Sequence, residues 1–389
     1  MASAAEAKNV TLNCHIENGD DKFFRLEKIS DYVSFKQDVV YSSTINNGNI
    51  SCSFTENDVA EYILYIDFAQ ATIFIEPDTK YDINIVVPEV DITQNPFTNR
   101  QFLQIDIKSS KKNDINRLIN DFNNSYDEFL YNNAAYILNG NKSIHNSFKN
   151  KTLDSIAQFN NHYFNVYAEY SFACTELSFS SISKQNLADT YLYNRDVEFG
   201  NPMYMQFLDD FCRNTIFTPD KTTTNYIALI VLTSIRNFTM FLNKNTYLKQ
   251  QIIPLLDKAE KQTNIKSIKT ICKNLISNNS TLLVGNQLPD IELTDEVGQP
   301  VEVNNINKSN KYLYFFKSSI TQNKHVLDTL LSSKYLIDNN FSVIPIDLNE
   351  EPLSSTYRPE NIYEIHNILG IKEYPFIITI DSNGYIIDL

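Results

Sequence analysis

The sequence contains no tryptophan, and only 8 glycines and 12 prolines among 389 residues. That scarcity excludes a collagen-like or low-complexity chain. It also leaves little with which to build a phosphate-cradling loop or a dinucleotide fingerprint, and neither pattern is present. Cysteine is sparse: Cys14, Cys52, Cys174, Cys212 and Cys272 are scattered, odd in number and never spaced as CxxC. Neither a disulfide framework nor a zinc site follows from such spacing. Basic clusters are missing too. The densest is Lys108–Lys112, with three lysines, against a net charge of -14 and a pI of 4.9. An acidic surface repels phosphate backbones and anionic lipid, so nucleic-acid binding is not expected. No apolar run is long enough to cross a bilayer. The most apolar stretch, 225–242, is interrupted by Arg236, Asn225, Asn237, Thr233, Ser234 and Thr239, and reads as a buried helix. Residues 1–7 lack the apolar core of a signal peptide and read as the remnant of a cleaved one or as an appended segment. The five histidines, His15, His145, His162, His325 and His366, are far apart, and none sits in a metal-binding pattern. The acidic pairs Asp20-Asp21, Asp209-Asp210 and Glu350-Glu351 lack the order of a calcium loop, so no metal or cofactor is expected.

Apolar residues are plentiful at 42%, with 25 Phe and 23 Tyr, which is ample for packed cores. Asparagine, at 48 residues, makes up about one position in eight, which reads as an AT-rich genome rather than as chemistry. The length suggests two or three domains, and the hydrophobic period changes twice along the chain. We read a multidomain α+β protein: a β-sandwich over 8–108, a helical region over 109–282 and a final α/β domain over 283–389.

In the first region Val10, Leu12, Cys14 and Ile16 alternate with polar residues, and further strands read at Ile50–Phe54, Ala60–Phe68, Thr72–Ile75 and Tyr81–Val87. Turn residues separate them, so an antiparallel sandwich is expected. Cys14 and Cys52 share register with apolar neighbours and face each other in this reading; free core thiols are favoured over a bond. In the second region Ile115, Leu118, Ile119 and Phe122 follow helical spacing. Further helices read near 145–175, 178–190, 203–216, 223–244, 246–261 and 264–278, with 191–202 as a loop. Tyr126, Tyr131, Tyr136, Tyr163, Tyr167 and Tyr170 fall on these helices, mostly as core and in part as interface candidates. No internal repeat is visible.

The third region alternates strands and helices. A hairpin surrounds Asp295–Gly298, buried strands read at Tyr312–Phe316 and Phe341–Leu348, and helices at Gln322–Asp338 and Ile362–Leu369. A final pair, Phe376–Ile380 and Tyr385–Asp388, is joined by the turn Asp381–Gly384. Four phrases in this order, Leu288–Gly298, Tyr314–Ser319, Tyr374-Pro375 and Phe376–Gly384, resemble the thioredoxin superfamily, specifically its envelope thiol–disulfide reductases. The resemblance implies a mixed sheet, a cis-proline at Pro375 and a redox motif after Ser318-Ser319. There the sequence reads Ile320-Thr321-Gln322-Asn323, so both thiols of the dithiol motif are replaced. Exchange needs a thiolate at the helix start and a second thiol one turn later, and no cysteine follows Cys272. Ser318, Ser319, Thr321 and His325 supply hydroxyls and an imidazole without a nucleophile elbow, and read as caps and surface.

The three-part layout is also similar to envelope proteins of Bacteroidota. This resemblance implies a periplasmic or outer-membrane-associated protein, with a lipid anchor on a residue outside this chain as one form of that association. Taken with the missing cysteines, it implies a non-catalytic binding or scaffold subunit whose partners are envelope proteins, with no direct membrane span and no cofactor. The groove formed by Ile320, Thr321, Gln322, Asn323, Tyr374 and Pro375 is its candidate binding site. The alternative is a thiol–disulfide oxidoreductase or isomerase relative with residual or relocated chemistry. The family's last helix has no counterpart before Leu389, so one sheet face or edge is expected either to be uncovered or to be covered by the helical region or a partner.

Overall fold

The computed structural model describes residues 8–67, 69–88, 101–179, 181–193, 195–213, 224–241, 246–280, 282–306, 309–349, 353–359, 365, 369, 371 and 374–389. The chain divides into two compact units, residues 1–234 and 235–389.

Among the described residues the first unit opens with the strands β1 (Asn9–Glu17), β2 (Phe23–Ile29), β3 (Gln37–Thr44), β4 (Asn49–Thr55), β5 (Ala60–Ile66), β6 (Ala69–Ile75), β7 (Lys80–Val86), β8 (Gln101–Phe102) and β9 (Gln104–Ser109). They form two sheets, ordered β4-β1-β7-β9 and β3-β2-β5-β6-β8. The alternating residues Val10, Leu12, Cys14 and Ile16 meet Phe24, Leu26, Tyr62, Leu64 and Ile66 of the other sheet in one buried core, which makes the pair a sandwich. It is not wholly antiparallel: β1 runs parallel to β7 and β6 parallel to β8. The reason is connectivity, since β1 and β7 are joined through the opposite sheet rather than by a tight turn. Cys14 lies opposite Ile50, and Leu12 opposite Cys52, so the two cysteines are diagonal neighbours on one buried face; both are free thiols.

Helices follow: α1 (Ile115–Asn132), α2 (Ala134–Leu138), α3 (Lys142–Ala157), α4 (His162–Glu176), α5 (Lys184–Tyr191) and α6 (Pro202–Arg213). The expected 145–175 helix is two, because Asn161 caps a fresh start and accepts from the Phe164 N–H. Ile115, Leu118, Ile119, Phe122 and Tyr126 of α1 form its buried stripe. Phe122 packs edge-on against Phe164, Tyr167 and Phe172. Polar groups sew this layer to the sandwich. The Asn116 amide exchanges two hydrogen bonds with the Phe74 backbone (2.6 and 2.8 Å), and Glu76 Oε2 accepts from the Ile115 N–H (3.1 Å). Tyr126, Tyr167 and Tyr170 are buried, whereas Tyr131 and Tyr136 are exposed.

Helix α7 (Thr224–Phe241) contains the point of division between the units. It buries Leu232, Thr233 and Arg236, and among the described residues no helix is long and apolar enough to cross a membrane. The second unit continues with α8 (Thr246–Gln262) and α9 (Lys266–Ser280). Then come β10 (Glu292–Thr294), β11 (Pro300–Glu302), β12 (Asn310–Phe316), α10 (Thr321–Leu331), α11 (Lys334–Asp338), β13 (Phe341–Asp347), β14 (Arg358–Pro359), β15 (Phe376–Ile380) and β16 (Ile386–Asp388). The expected 322–338 helix is broken at Ser332-Ser333, where Ser333 caps α11. Of the expected 362–369 helix, only Ile365 and Leu369 are described, both helical; the remainder lies outside the described residues.

The main sheet is ordered β13-β12-β15-β16, with β12 parallel to β13 and antiparallel to β15. A helical crossover joins the parallel pair, and a tight turn joins β15 to β16. This β-α-β then β-β order is the thioredoxin-like core that the sequence phrases imply. Leu313, Phe315, Ile344, Ile346, Ile378 and Ile380 fill one face with Ile365 and Leu369. Tyr314 and Phe316 point to the other face, under Leu327 of α10. Both rims carry further backbone pairing. Gly285 N–H donates to Ile386 O (2.7 Å) and Leu288 N–H to Gly384 O (2.8 Å), while Tyr357 exchanges bonds with Pro345 and Asp347 (2.9 and 2.8 Å) beside β13.

Candidate functional site

β12 ends at Phe316, and the chain turns through Lys317-Ser318-Ser319 into α10, with Ile320 at the N-cap. Ile320 has no side-chain oxygen, so it caps nothing, and it is 41% exposed. Gln322 is exposed. Asn323 is 3% exposed and turned inward: its N–H donates to Ile320 O (2.9 Å) and its amide to Lys317 O (3.2 Å), while the Tyr314 hydroxyl donates to its carbonyl (3.1 Å). Asn323 is therefore a buried brace for the turn. The Thr321 backbone opens α10; its side chain lies outside the described set.

Tyr374 and Pro375 come to this turn by strand pairing. Phe315 faces Phe376 across β12 and β15, which places the two preceding residues beside Phe316 and Lys317. The Lys317 ammonium sits 5.5 Å from the centre of the Tyr374 ring. The Tyr374–Pro375 bond is cis, and Pro375 is exposed. Burial holds the Tyr374 phenol above its ordinary pKa and the Lys317 ammonium below its own.

Two residues that sequence reading did not single out organise this turn. Asp347, at the end of β13, is fully buried. Its carboxylate accepts from the N–H groups of Ser318 (3.1 Å), Asn349 (3.2 Å) and Leu353 (3.1 Å). The Asn349 amide oxygen accepts from the Ser319 N–H (2.7 Å) and the Ser318 hydroxyl (2.6 Å), and its nitrogen donates to the Ser319 hydroxyl (3.3 Å). Both serine hydroxyls are thus engaged in holding the turn. His325 is exposed on α10, and no acid–imidazole–hydroxyl relay is formed among the described residues. The missed signal was an aspartate closing an apolar strand, as in Ile344-Pro345-Ile346-Asp347. A carboxylate there is stable only where backbone donors converge on it.

No group of three or more histidines, cysteines and carboxylates converges among the described residues. All five thiols lie elsewhere, at or before Cys272. Burial pushes Cys14, Cys174 and Cys212 up to about 12, and Cys52 and Cys272 to about 11. A raised pKa disfavours the thiolate, the form that exchange chemistry requires.

No family profile and no curated protein matches the chain. Solved structures do. The chain is similar to the thioredoxin domain of a thiol-disulfide oxidoreductase from Bacteroides vulgatus, at 17% identity over 28% of this chain and 87% of that one (TM-score 0.24). It is similar to a thiol:disulfide interchange protein from Bacteroides sp., at 16% identity over 28% of this chain and 81% of that one (TM-score 0.25). A thioredoxin-like protein from Bacteroides caccae covers more, 61% of this chain and 78% of its own, at 12% identity (TM-score 0.29). Likenesses this slight carry no inference about activity; the thioredoxin-like reading stands on the strand order and directions of the second unit.

Proposed function

We propose that the thioredoxin-like domain is redox-inactive and holds an extended polypeptide beside Pro375, in a binding or scaffold subunit of a cell-envelope assembly. The carrying observation is the fate of the two dithiol positions. Ile320 presents an exposed apolar side chain, and Asn323 is buried as a structural brace. Exchange between thiol and disulfide requires sulfur at such positions; contact with a peptide does not. An exposed apolar residue on a turn held by Asp347 and Asn349, with an exposed proline paired beside the start of that turn, suits strand-like docking. The envelope setting rests on the family resemblance and belongs to the same proposal.

The test places a photocrosslinking amino acid at Gln322 and, as a control, at exposed Tyr335. Envelope extract should yield one discrete adduct from position 322, lost when Ile320→Asp is added, and none from 335. Equal capture from both positions, or none from 322, would sink the binding reading. The alternative, disulfide exchange by cysteines elsewhere, is separated by insulin reduction: turnover above the dithiothreitol background would overturn redox inactivity.

A further inference from the structure

Helix α3 is held to its layer by an unusual anchor. It buries only two residues, His145 and Ile156, fewer than α1 or α4, and α2 before it buries none. The His145 ring is fully buried, edge-on to Phe172 (5.7 Å) and Phe179 (5.2 Å). Among the described residues neither ring nitrogen makes a well-formed hydrogen bond, and the Asn146 side chain, on the same helix, interacts only weakly with the ring.

The groups facing it come from three helices. Its own helix presents Lys149; α4 presents Glu176; α5 presents Tyr191. Glu176 is already engaged. Its Oε1 takes the Lys149 ammonium at 2.9 Å and its Oε2 takes the Tyr191 hydroxyl at 2.7 Å. Lys149 also contacts the Tyr191 hydroxyl. Beyond Tyr191, Arg195 lies 6.0 Å from its ring and pairs with Glu169 (2.9 Å). His145 Nδ1 stands 3.8 Å from Glu176 Oε1, too far for a hydrogen bond. A protonated His145 would have to share that oxygen with Lys149, which repels it.

We propose that His145 is a proton-operated latch: the neutral ring docks α3 onto α4, and its protonation releases α3 while the rest of the unit stays folded. Burial is the main cause holding the ring below its ordinary value; Glu176 and, more weakly, the Asn146 side chain pull upward, and Lys149 pushes down. The sign follows. In released α3 the ring has its ordinary pKa of about 6.5, while in docked α3 it is lower. Docking is therefore at full strength above about pH 6.5 and weakens as pH falls from there toward the docked value.

Hydrogen exchange of the full chain, compared at pH 7.5 and 5.5 and corrected for the intrinsic rate, tests this. Peptides of 142–157 should lose protection by up to about tenfold per pH unit below 6.5, the limit for one proton. Peptides of α1 and α4 should hold theirs, and His145→Phe, which keeps the ring packing, should abolish the response. Unchanged protection of α3, loss in step with α1 and α4, or an unaltered response in the variant would overturn the proposal. Should the variant not fold, the wild-type ring decides by NMR titration: a His145 pKa at or above the ordinary value rejects the latch, and one below it supports it.

Discussion

Asp347 is one carboxylate serving three backbone donors, and that arithmetic sets its worth. Replacing it with alanine removes an acceptor from the N–H groups of Ser318, Asn349 and Leu353, of which Ser318 keeps a second one in the Asn349 amide oxygen (3.1 Å). Hydrogen bonds to a charged acceptor contribute about 1.5–3 kcal/mol each, with part recovered by entering water. Asp347→Ala should therefore lower stability by about 3 kcal/mol in urea melts of the full chain, and Asp347→Asn by less. A loss under about 0.5 kcal/mol would show that the turn does not depend on it. Glu56 makes a complementary case in the first unit. Burial pushes its carboxyl upward, but hydrogen bonds from Lys28 (2.5 Å) and Tyr62 (2.7 Å) and the charge of Lys28 outweigh it, and the pKa is lowered. The folded value lies below the unfolded one, so the contribution is present above about pH 4.5 and lost as pH falls through the folded value. Glu56→Gln should cost about 1–2 kcal/mol at pH 7, with the deficit against wild type shrinking in acid. A deficit independent of pH would contradict this account.

At the scale of elements, caps and turns decide where the helices and strands begin. Asp114 accepts from the N–H groups of Asn116 and Arg117 at the start of α1, so Asp114→Ala should destabilise the first unit by about 1 kcal/mol in thermal melts. Gly48 has φ +64°, and an added Cβ would stand 2.9 Å from Ile16 O, on a backbone that cannot yield without breaking the Ile16–Gly48 pairing. Gly48→Ala should cost about 2 kcal/mol; a neutral effect would mean that the turn relaxes. Elements with a clean period were legible in the sequence. The alternation in β1 and the stripe of α1 each carry one buried face, and periodicity reports that. β2 was not legible, because Phe24 and Leu26 face the core while Arg25 and Glu27 are also buried, paired at 2.6 Å with Arg25 lying over Tyr65. A strand covered on both faces by chemically opposite partners shows no simple alternation. Of the candidate site, the strand pairing of Phe315 with Phe376 sets the Tyr374-Pro375 phrase beside the start of the turn that leads to Ile320, a proximity the separate phrases foreshadowed. Asp347 and Asn349 were not legible, since their role comes from backbone donors brought in from elsewhere in the fold, and no spacing encodes that.

For the molecule as a whole, the five cysteines form a built-in reporter of unfolding. At a pKa of about 11–12 the thiolate fraction at pH 8 is about 10⁻³ or less. The native protein should react with an aromatic disulfide reagent at least about a hundredfold more slowly than free cysteine, and release five equivalents once denatured. Four thiols report on the first unit and Cys272 on the second, so separate unfolding transitions would appear as a four-to-one division of the signal. A fast-reacting native thiol would instead point to relocated redox chemistry. The rims of the main sheet have a different consequence. Residues 285–288 lie along β16, and Tyr357 along β13, so the chain occupies its own borders at both places. Unclaimed borders are where foreign strands add and fibrils grow. Here an intruder has first to strip bonds already made, and crowded copies of this domain gain little by stacking side by side.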